Sequence, residues 1–282
     1  MTGERVATGQ WKAMITSTRL SFVLVLAFAS VTLSYTGNDK ADRAKQNGDD
    51  IKKEASMDSN ASRAGGGAEL TAIDVLLEPD ATMRSKAEAA NARLRENFST
   101  SYALDALHAP HITVLQRHVR TRDLDSMYLA VQRVFETEHL ADLQMKATGY
   151  YYIPFTEKGA SMGLAGIVIE PSADLLRLQQ KLIDAVAPFS ERGGTAVAYI
   201  TAPENAHLLK QLIEYVDSYV PEHSGKNFNP HVTVGVGHED FLKGLKAEPF
   251  NVFTFNADAV AVYQLGDFGT AAKKLWNWAP QR

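Results

Sequence analysis

The 282-residue sequence contains no cysteine. This absence excludes a disulfide framework, a thiolate metal site, a thiol nucleophile and a lipid-bearing cysteine. Cysteine usage therefore says nothing about the compartment in which the protein works, and that information has to come from another feature of the chain.

The sequence also lacks an excess of positive charge. Its formal net charge is -4 and its pI is near 6.1, whereas proteins that hold long nucleic acids carry many cationic side chains for the phosphates. We therefore expect a small ligand or a short strand end and no duplex nucleic acid. The apolar fraction of 45% is sufficient for a sizeable core.

No apolar run near the N-terminus reaches the roughly 20 residues that span a bilayer as a helix. The uncharged run over residues 20–33 has 14 residues and follows three basic residues, Arg5, Lys12 and Arg19. This order is typical of a secretory signal, and Ala27-Phe28-Ala29 offers a small-x-small cleavage site. We expect residues 1–35 to be a signal peptide of an exported, periplasmic or secreted protein. The alternative is an N-terminal anchor that tethers the chain to a membrane through residues 20–33.

The composition then changes twice. Residues 36–68 are rich in Asn, Asp, Lys, Ser, Ala and Gly and end in three consecutive glycines followed by alanine, which is typical of a flexible linker. From residue 69 apolar residues recur with the periods of strands and helices, so we assign 69–282 to one folded domain.

Within this domain strands and helices are mixed without the regular alternation of a doubly wound sheet, which favours an α+β fold with largely antiparallel sheets. The strands are expected over 70–77, 111–116, 143–153, 162–169, 195–200 and 231–236, with a paired-strand pattern over 250–265. Helices are expected over 83–98, 124–135, 172–187, after Thr201, and over 239–245.

One local pattern occurs twice: Pro110-His111-Ile112-Thr113-Val114 and Pro230-His231-Val232-Thr233-Val234 start 120 residues apart. Successive side chains of a strand alternate between its two faces. Each histidine should therefore share a face with its threonine and line a cleft, while the apolar residues anchor the strand in a core. A single histidine usually has a purely structural role, but the duplication of the whole pattern favours a functional site.

These motifs resemble the two-histidine phosphoesterases, which include the bacterial RNA 2′,3′-cyclic phosphodiesterases historically called 2′-5′ RNA ligases. The resemblance rests on the repeated His-x-Thr-x pattern and covers the folded part of the chain. It implies a bilobal fold with pseudo-two-fold symmetry, in which each lobe supplies one motif strand to a central cleft. It also implies a small nucleotide or a short RNA end as the substrate, His111 and His231 as catalytic residues, Thr113 and Thr233 as phosphate-binding residues, and no metal or cofactor.

Two histidines facing one phosphate can divide acid and base work near neutral pH. The sequence leaves open which histidine is the base, and it leaves open an RNA-end 2′-5′ ligase or a non-catalytic nucleotide-binding module as alternatives to a hydrolase. We expect a monomer. Weaker candidates are a metal cluster with His108 and His118, base stacking by Tyr150, Tyr152 and Phe228, and phosphate binding by Lys226.

Overall fold

A computed structural model of the chain describes residues 68–105 and 108–280. The predicted signal or anchor over 1–35 lies outside the described residues, as does the predicted linker apart from its last residue. In the part of the chain that is described, no helix is long and apolar enough to cross a membrane.

The described residues form eight β-strands and five α-helices joined by short 3₁₀ turns. The strands are β1 (Leu70–Pro79), β2 (Ile112–Arg120), β3 (Met145–Glu157), β4 (Ala160–Ile169), β5 (His231–His238), β6 (Phe253–Phe255), β7 (Ala257–Leu265) and β8 (Ala271–Trp278). The helices are α1 (Ala81–Asn97), α2 (Leu124–Glu138), α3 (Ala173–Val186), α4 (Leu209–His223) and α5 (Glu239–Ala247).

Across these residues the strands form two four-stranded antiparallel sheets, with the orders β2-β1-β7-β8 and β5-β4-β3-β6. We call them sheet A and sheet B. The strand that carries each motif lies at one edge of its sheet, next to β1 in sheet A and next to β4 in sheet B. The two orders are therefore equivalent position by position, and the predicted α+β fold with two antiparallel sheets and pseudo-two-fold symmetry is confirmed.

The helices are exchanged between the two halves. Helix α1 follows β1 but packs on β5 of the other sheet, whereas α3 and α4 follow β4 and pack on β2. Both halves share one hydrophobic core, and four motif residues with 0% exposure contribute to it. These residues are Ile112, Val114, Val232 and Val234. Burying an aliphatic side chain contributes roughly 1.5–3 kcal/mol, so the apolar members of the motifs fix both strands.

Two helix starts follow local sequence signals. Asp80 accepts a hydrogen bond from the Met83 amide at 3.2 Å and caps α1, while Ser172 accepts one from the Leu175 amide at 3.2 Å and caps α3. Such side chains satisfy amides that have no partner within the helix. They place both helices directly after β1 and β4, the strands that pair with the motif strands.

The predicted strand over 195–200 is wrong. Ala196–Ala198 forms a 3₁₀ turn, in which the Ala198 amide donates to the Thr195 carbonyl at 2.9 Å and the Tyr199 amide donates to the Ala196 carbonyl at 3.2 Å. These local bonds replace the ladder that a strand needs. One isolated bridge, between Ile200 and Gly266, remains in this segment.

The predicted strand pair over 250–265 is also wrong. Strand β6 pairs with β3 in sheet B, while β7 pairs with β1 and β8 in sheet A. A single residue, Asn256, separates them, and a hairpin requires a loop of at least two residues. The chain therefore crosses from one sheet to the other at Asn256, and β7 pairs instead with β8, which the sequence patterns did not indicate.

Candidate active site

Both histidine-threonine motifs lie where the two sheets meet. His111 immediately precedes β2 and His231 is the first residue of β5. Although these strands belong to different sheets, their residues approach within 8 Å between Cα atoms. The positive charge of His111 lies close enough to contribute to the lowered pKa of His231. The fold thus brings together two segments that are 120 residues apart in sequence.

The alternation of side chains expected from the sequence is present in both motifs. His111, Thr113, His231 and Thr233 are partly exposed, whereas the apolar residues between and after them are fully buried. Each strand therefore presents one imidazole and one hydroxyl on its accessible face.

The two imidazole rings are held in the same way. Nδ1 of His111 lies 2.8 Å from the Ala109 carbonyl oxygen, and Nδ1 of His231 lies 2.8 Å from the Asn229 carbonyl oxygen. A carbonyl only accepts hydrogen bonds, so Nδ1 carries a hydrogen in both rings. Nε2 is then the nitrogen that gains or loses a proton, in both halves of the site.

Each motif strand carries a β-bulge at the same position. The register of β1 with β2 leaves Val114 unpaired, and that of β4 with β5 leaves Val234 unpaired. Both are the residue directly after the motif threonine. A bulge bends a strand and re-aims its side chains, and bulges are frequent beside active sites. The repeat therefore includes backbone geometry as well as residue types.

A buried amide on α1 holds the second bulge. Asn91 donates hydrogen bonds from Nδ2 to the Val234 carbonyl at 2.8 Å and to the Tyr102 carbonyl at 2.9 Å. Its Oδ1 accepts from the Leu104 amide at 3.0 Å. Since residues 102–104 lead toward the first motif, Asn91 connects the approach to one motif with the bulge of the other.

The equivalent bond in the other half comes from Gln179 on α3. Its Nε2 donates to the Val114 carbonyl at 3.1 Å, and its Oε1 accepts from the Gly225 amide at 3.0 Å, in the loop that leads to the second motif. Asn91 and Gln179 are 4% and 1% exposed. We call this reciprocal pair the amide cross-brace, because each amide ties the bulge of one motif strand to the loop before the other.

The two threonines have different surroundings. Oγ1 of Thr113 lies within hydrogen-bond distance of Oδ2 of Asp74, at 2.8 Å. Asp74 lies on β1 and is fully buried. Thr233 instead shares a cross-strand row with Gly166 and Tyr151. A methyl group at Gly166 would lie 2.5 Å from Cε1 of Tyr151, so only glycine leaves room for that ring.

The same tyrosine borders the second histidine. The ring of Tyr151 meets the His231 ring edge-on, with 5.0 Å between centroids. Burial lowers the pKa of His231 below its ordinary value of 6.5; the hydrogen bond from Nδ1 to Asn229 opposes this, and the charge of His111 adds to it. His231 is therefore biased toward the neutral form at neutral pH.

The weaker sequence candidates lie elsewhere or have other partners. His118 is 1% exposed, and its ring nitrogens lie 2.8 Å from Asp217 Oδ1 and 2.6 Å from the Tyr199 hydroxyl. Among the described residues no group of three or more His, Cys, Asp or Glu side chains could hold a metal ion. Phe228 packs in the core with 6% exposure.

The predicted stacking pair faces away from the second motif. Tyr150 packs edge-on against Phe250 at 5.0 Å between ring centroids, and Nζ of Lys246 on α5 lies 6.0 Å from the Tyr152 ring centroid. Because neighbouring residues of a strand point to opposite faces, the tyrosine between them, Tyr151, borders His231. The sequence has three consecutive tyrosines at 150–152, but which of them borders His231 depends on how the strand pairs in its sheet.

Comparisons with known proteins found matches among solved structures alone. No protein-family model matches the chain, and no curated protein matches it significantly. Among solved structures, TT0787 of Thermus thermophilus is 17% identical over 74% of this chain and 97% of its own, with a TM-score of 0.40. Usb1 of Kluyveromyces marxianus is 11% identical over 73% of this chain and 97% of its own, with a TM-score of 0.34.

Usb1 was also solved with uridine monophosphate, and that structure is 10% identical over 74% of this chain and 98% of its own, again with a TM-score of 0.34. At these identities and scores the similarity assigns no role to any residue of this chain.

Proposed function

We propose that the chain is a metal-independent phosphodiesterase that hydrolyses a small phosphodiester, such as a 2′,3′-cyclic phosphate or a 2′-5′ linked oligonucleotide. The observation that carries the proposal is the identical seating of the two imidazoles, which fixes Nδ1 as a donor to a carbonyl and leaves Nε2 for proton transfer in both motifs. A site that only binds a phosphate does not need two proton-transfer groups, because hydroxyls and backbone amides suffice for binding.

His231 suits the role of general base, because burial favours its neutral form. Its Nε2 accepts a proton from water while the water oxygen attacks phosphorus. His111, in the protonated form, donates the proton on its Nε2 to the oxygen that leaves as the phosphorus–oxygen bond breaks. His231 ends the reaction protonated and His111 ends it neutral, so a proton must pass from His231 to His111 before the next turnover.

Thr113 and Thr233 would donate hydrogen bonds to the non-bridging phosphate oxygens. Such bonds hold the phosphate in line with the attacking water and stabilise charge that develops in the transition state. A hydrogen bond to a charged group contributes roughly 1.5–3 kcal/mol.

Hydrolysis is favoured over the reverse ligation, because water is present at roughly 55 M. A second strand end can compete with it only if the protein holds that end in place. The chain has a net charge of -4, and no sequence feature provides a long cationic surface for a second strand. The alternatives to a hydrolase are an RNA-end ligase and a non-catalytic nucleotide-binding module.

The test is a substrate panel with the full-length chain in EDTA. It contains nucleoside 2′,3′-cyclic phosphates, 2′-5′ and 3′-5′ dinucleotides, and ADP-ribose 1″,2″-cyclic phosphate. We expect turnover of at least one member, with the same rate before and after chelation. Turnover that is lost in EDTA and restored by a divalent ion contradicts the metal-free mechanism; binding without turnover across the panel identifies a binding module.

The lowered pKa of His231 predicts the shape of the pH profile. A general base works only when deprotonated, so the acidic limb of the kcat/KM profile should have its midpoint below 6.5, the ordinary pKa of a histidine. The residual activity of the His231→Ala variant should lack this acidic limb and keep the alkaline limb of the wild-type profile. If His231→Ala removes the alkaline limb instead, the roles of the two histidines are reversed.

We further propose that the protein is exported, on the basis of the basic residues followed by the apolar run over residues 20–33. The native protein should then begin after Ala29. Mass spectrometry of protein purified from its own cells measures this. An intact Met1 terminus in the membrane fraction would show that the run is an anchor.

A further inference from the structure

Asp74 is a fully buried carboxyl group that the proposed mechanism does not use. It lies on β1, opposite Gln116 of β2, and has 0% exposure. Its Oδ2 lies 2.8 Å from Thr113 Oγ1 and 3.2 Å from Gln116 Nε2. Its Oδ1 is also buried and has no hydrogen-bond partner among the described residues.

An ionised carboxylate at this position would be costly. Besides His111, the titratable groups that face Asp74 are tyrosines: Tyr215 and Tyr219 on α4 interact with its charge, and Tyr263 of β7 is its cross-strand neighbour. Moving a charge out of water costs several kcal/mol unless a cation and hydrogen bonds to both oxygens compensate. A negative charge beside Thr113 would also repel an anionic substrate.

The hydroxyl of Thr113 has one hydrogen to donate. If Asp74 is ionised, Thr113 donates that hydrogen to Oδ2 and presents only lone pairs to a phosphate. If Asp74 keeps its proton, Oδ2–H donates to Thr113 Oγ1 at the same 2.8 Å separation. The hydroxyl hydrogen of Thr113 is then available to a phosphate oxygen. Burial raises the pKa of Asp74, against the opposing effects of His111, Thr113 and Gln116, which agrees with the second arrangement.

We propose that Asp74 is a neutral carboxylic acid and a positioning residue, which donates a hydrogen bond to Thr113 and thereby directs the Thr113 hydroxyl hydrogen toward the phosphate. The inference rests on the proposed function of Thr113 as a phosphate ligand. It applies to one half of the site, because the position equivalent to Asp74 in sheet B is Leu164, which pairs with Val236 as Asp74 pairs with Gln116. Thr113 and Thr233 therefore differ in how their hydroxyl groups are oriented.

The first test compares two replacements at position 74. Asp74→Asn keeps a neutral donor for Thr113, whereas Asp74→Leu reproduces the residue of the other half and removes the donor. With a nucleoside 2′,3′-cyclic phosphate as substrate, we expect kcat/KM of Asp74→Asn to stay within about threefold of the wild type and that of Asp74→Leu to fall about tenfold. In a Thr113→Val background, which itself should cost about tenfold to a hundredfold, Asp74→Leu should have no further effect.

The second test does not depend on activity. The infrared difference spectrum between the wild type and Asp74→Asn at pH 7 should contain the carbonyl band of a protonated carboxylic acid. Absence of this band overturns the proposal, and so does an Asp74→Asn variant that loses as much kcat/KM as Asp74→Leu while unfolding at the wild-type temperature. If the band is present but no phosphodiester is turned over by the wild type, Asp74 is neutral as inferred and the proposed function has failed.

Discussion

Replacing either His111 or His231 by alanine should lower turnover of a nucleoside 2′,3′-cyclic phosphate by roughly a hundredfold to ten-thousandfold, the range for loss of a positioned proton-transfer group. Both losses are expected to be large, because each imidazole has its Nδ1 fixed on a backbone carbonyl 2.8 Å away and in the proposed mechanism each Nε2 transfers a different proton. Steady-state kinetics of the two purified variants measure the effect.

His238 is the matched control. It lies at the far end of the same strand as His231, is exposed, and has no place in either motif. His238→Ala should keep turnover within about twofold of the wild type, as is usual for a surface substitution far from a site. If His111→Ala retains nearly full activity while His231→Ala abolishes it, the chemistry is carried by one motif, and the division of acid and base roles proposed above is wrong.

The amide cross-brace predicts the second large effect, on stability. Asn91→Leu keeps the branched shape of the side chain but removes three hydrogen bonds, to the Val234 carbonyl, the Tyr102 carbonyl and the Leu104 amide. A buried polar group that loses its partner costs about 1–3 kcal/mol. We therefore expect the free energy of unfolding to fall by roughly 3 kcal/mol, measured from urea denaturation with circular dichroism.

Asn97 provides the control for this experiment. It is the last residue of the same helix and is exposed. Asn97→Leu should change the free energy of unfolding by less than about 0.5 kcal/mol. An Asn91→Leu variant that unfolds at the same urea concentration as the wild type would mean that the cross-brace contributes nothing to the stability of the motif strands.

The site residues were the most predictable part of the molecule. Duplication of the His-x-Thr pattern indicated a shared site, and the period of two along a strand indicated which side chains are buried and which are accessible. Both inferences use neighbours in sequence. The structure places the histidines and threonines on partly exposed strand faces and Val114 and Val234 in the core, as expected. Their catalytic roles stay predictions.

The residues that support the site were not predictable, because their partners are distant in sequence. Asn91 sits on the buried face of an otherwise apolar helix stripe, and its partner Val234 lies 143 positions away. Gln179 and Val114 are 65 positions apart. Asp74 was visible as one carboxylate within an apolar run, but its contact with Thr113 depends on the register between β1 and β2.

The bulges, and the sheet to which each strand belongs, could not be predicted from the sequence for a related reason. Val114 is an ordinary strand residue, and its neighbour Leu115 gives no sign of irregular backbone. In the other half Gly235, with φ of 140°, does mark the position after the bulge. The segment over 250–265 had the composition of paired strands, yet its two strands join different sheets, which is decided by tertiary packing and not by local propensity.

The central claim is that the two motifs form a single catalytic unit, and a double-mutant cycle on His111 and His231 tests it most directly. Residues that act in one mechanism are not additive, because the second loss falls on a reaction already disabled. We predict that His111→Ala/His231→Ala turns over a nucleoside 2′,3′-cyclic phosphate, in EDTA, no more than about threefold more slowly than the slower single variant. A double variant whose loss equals the product of the two single losses would show two independent contributions and contradict the account.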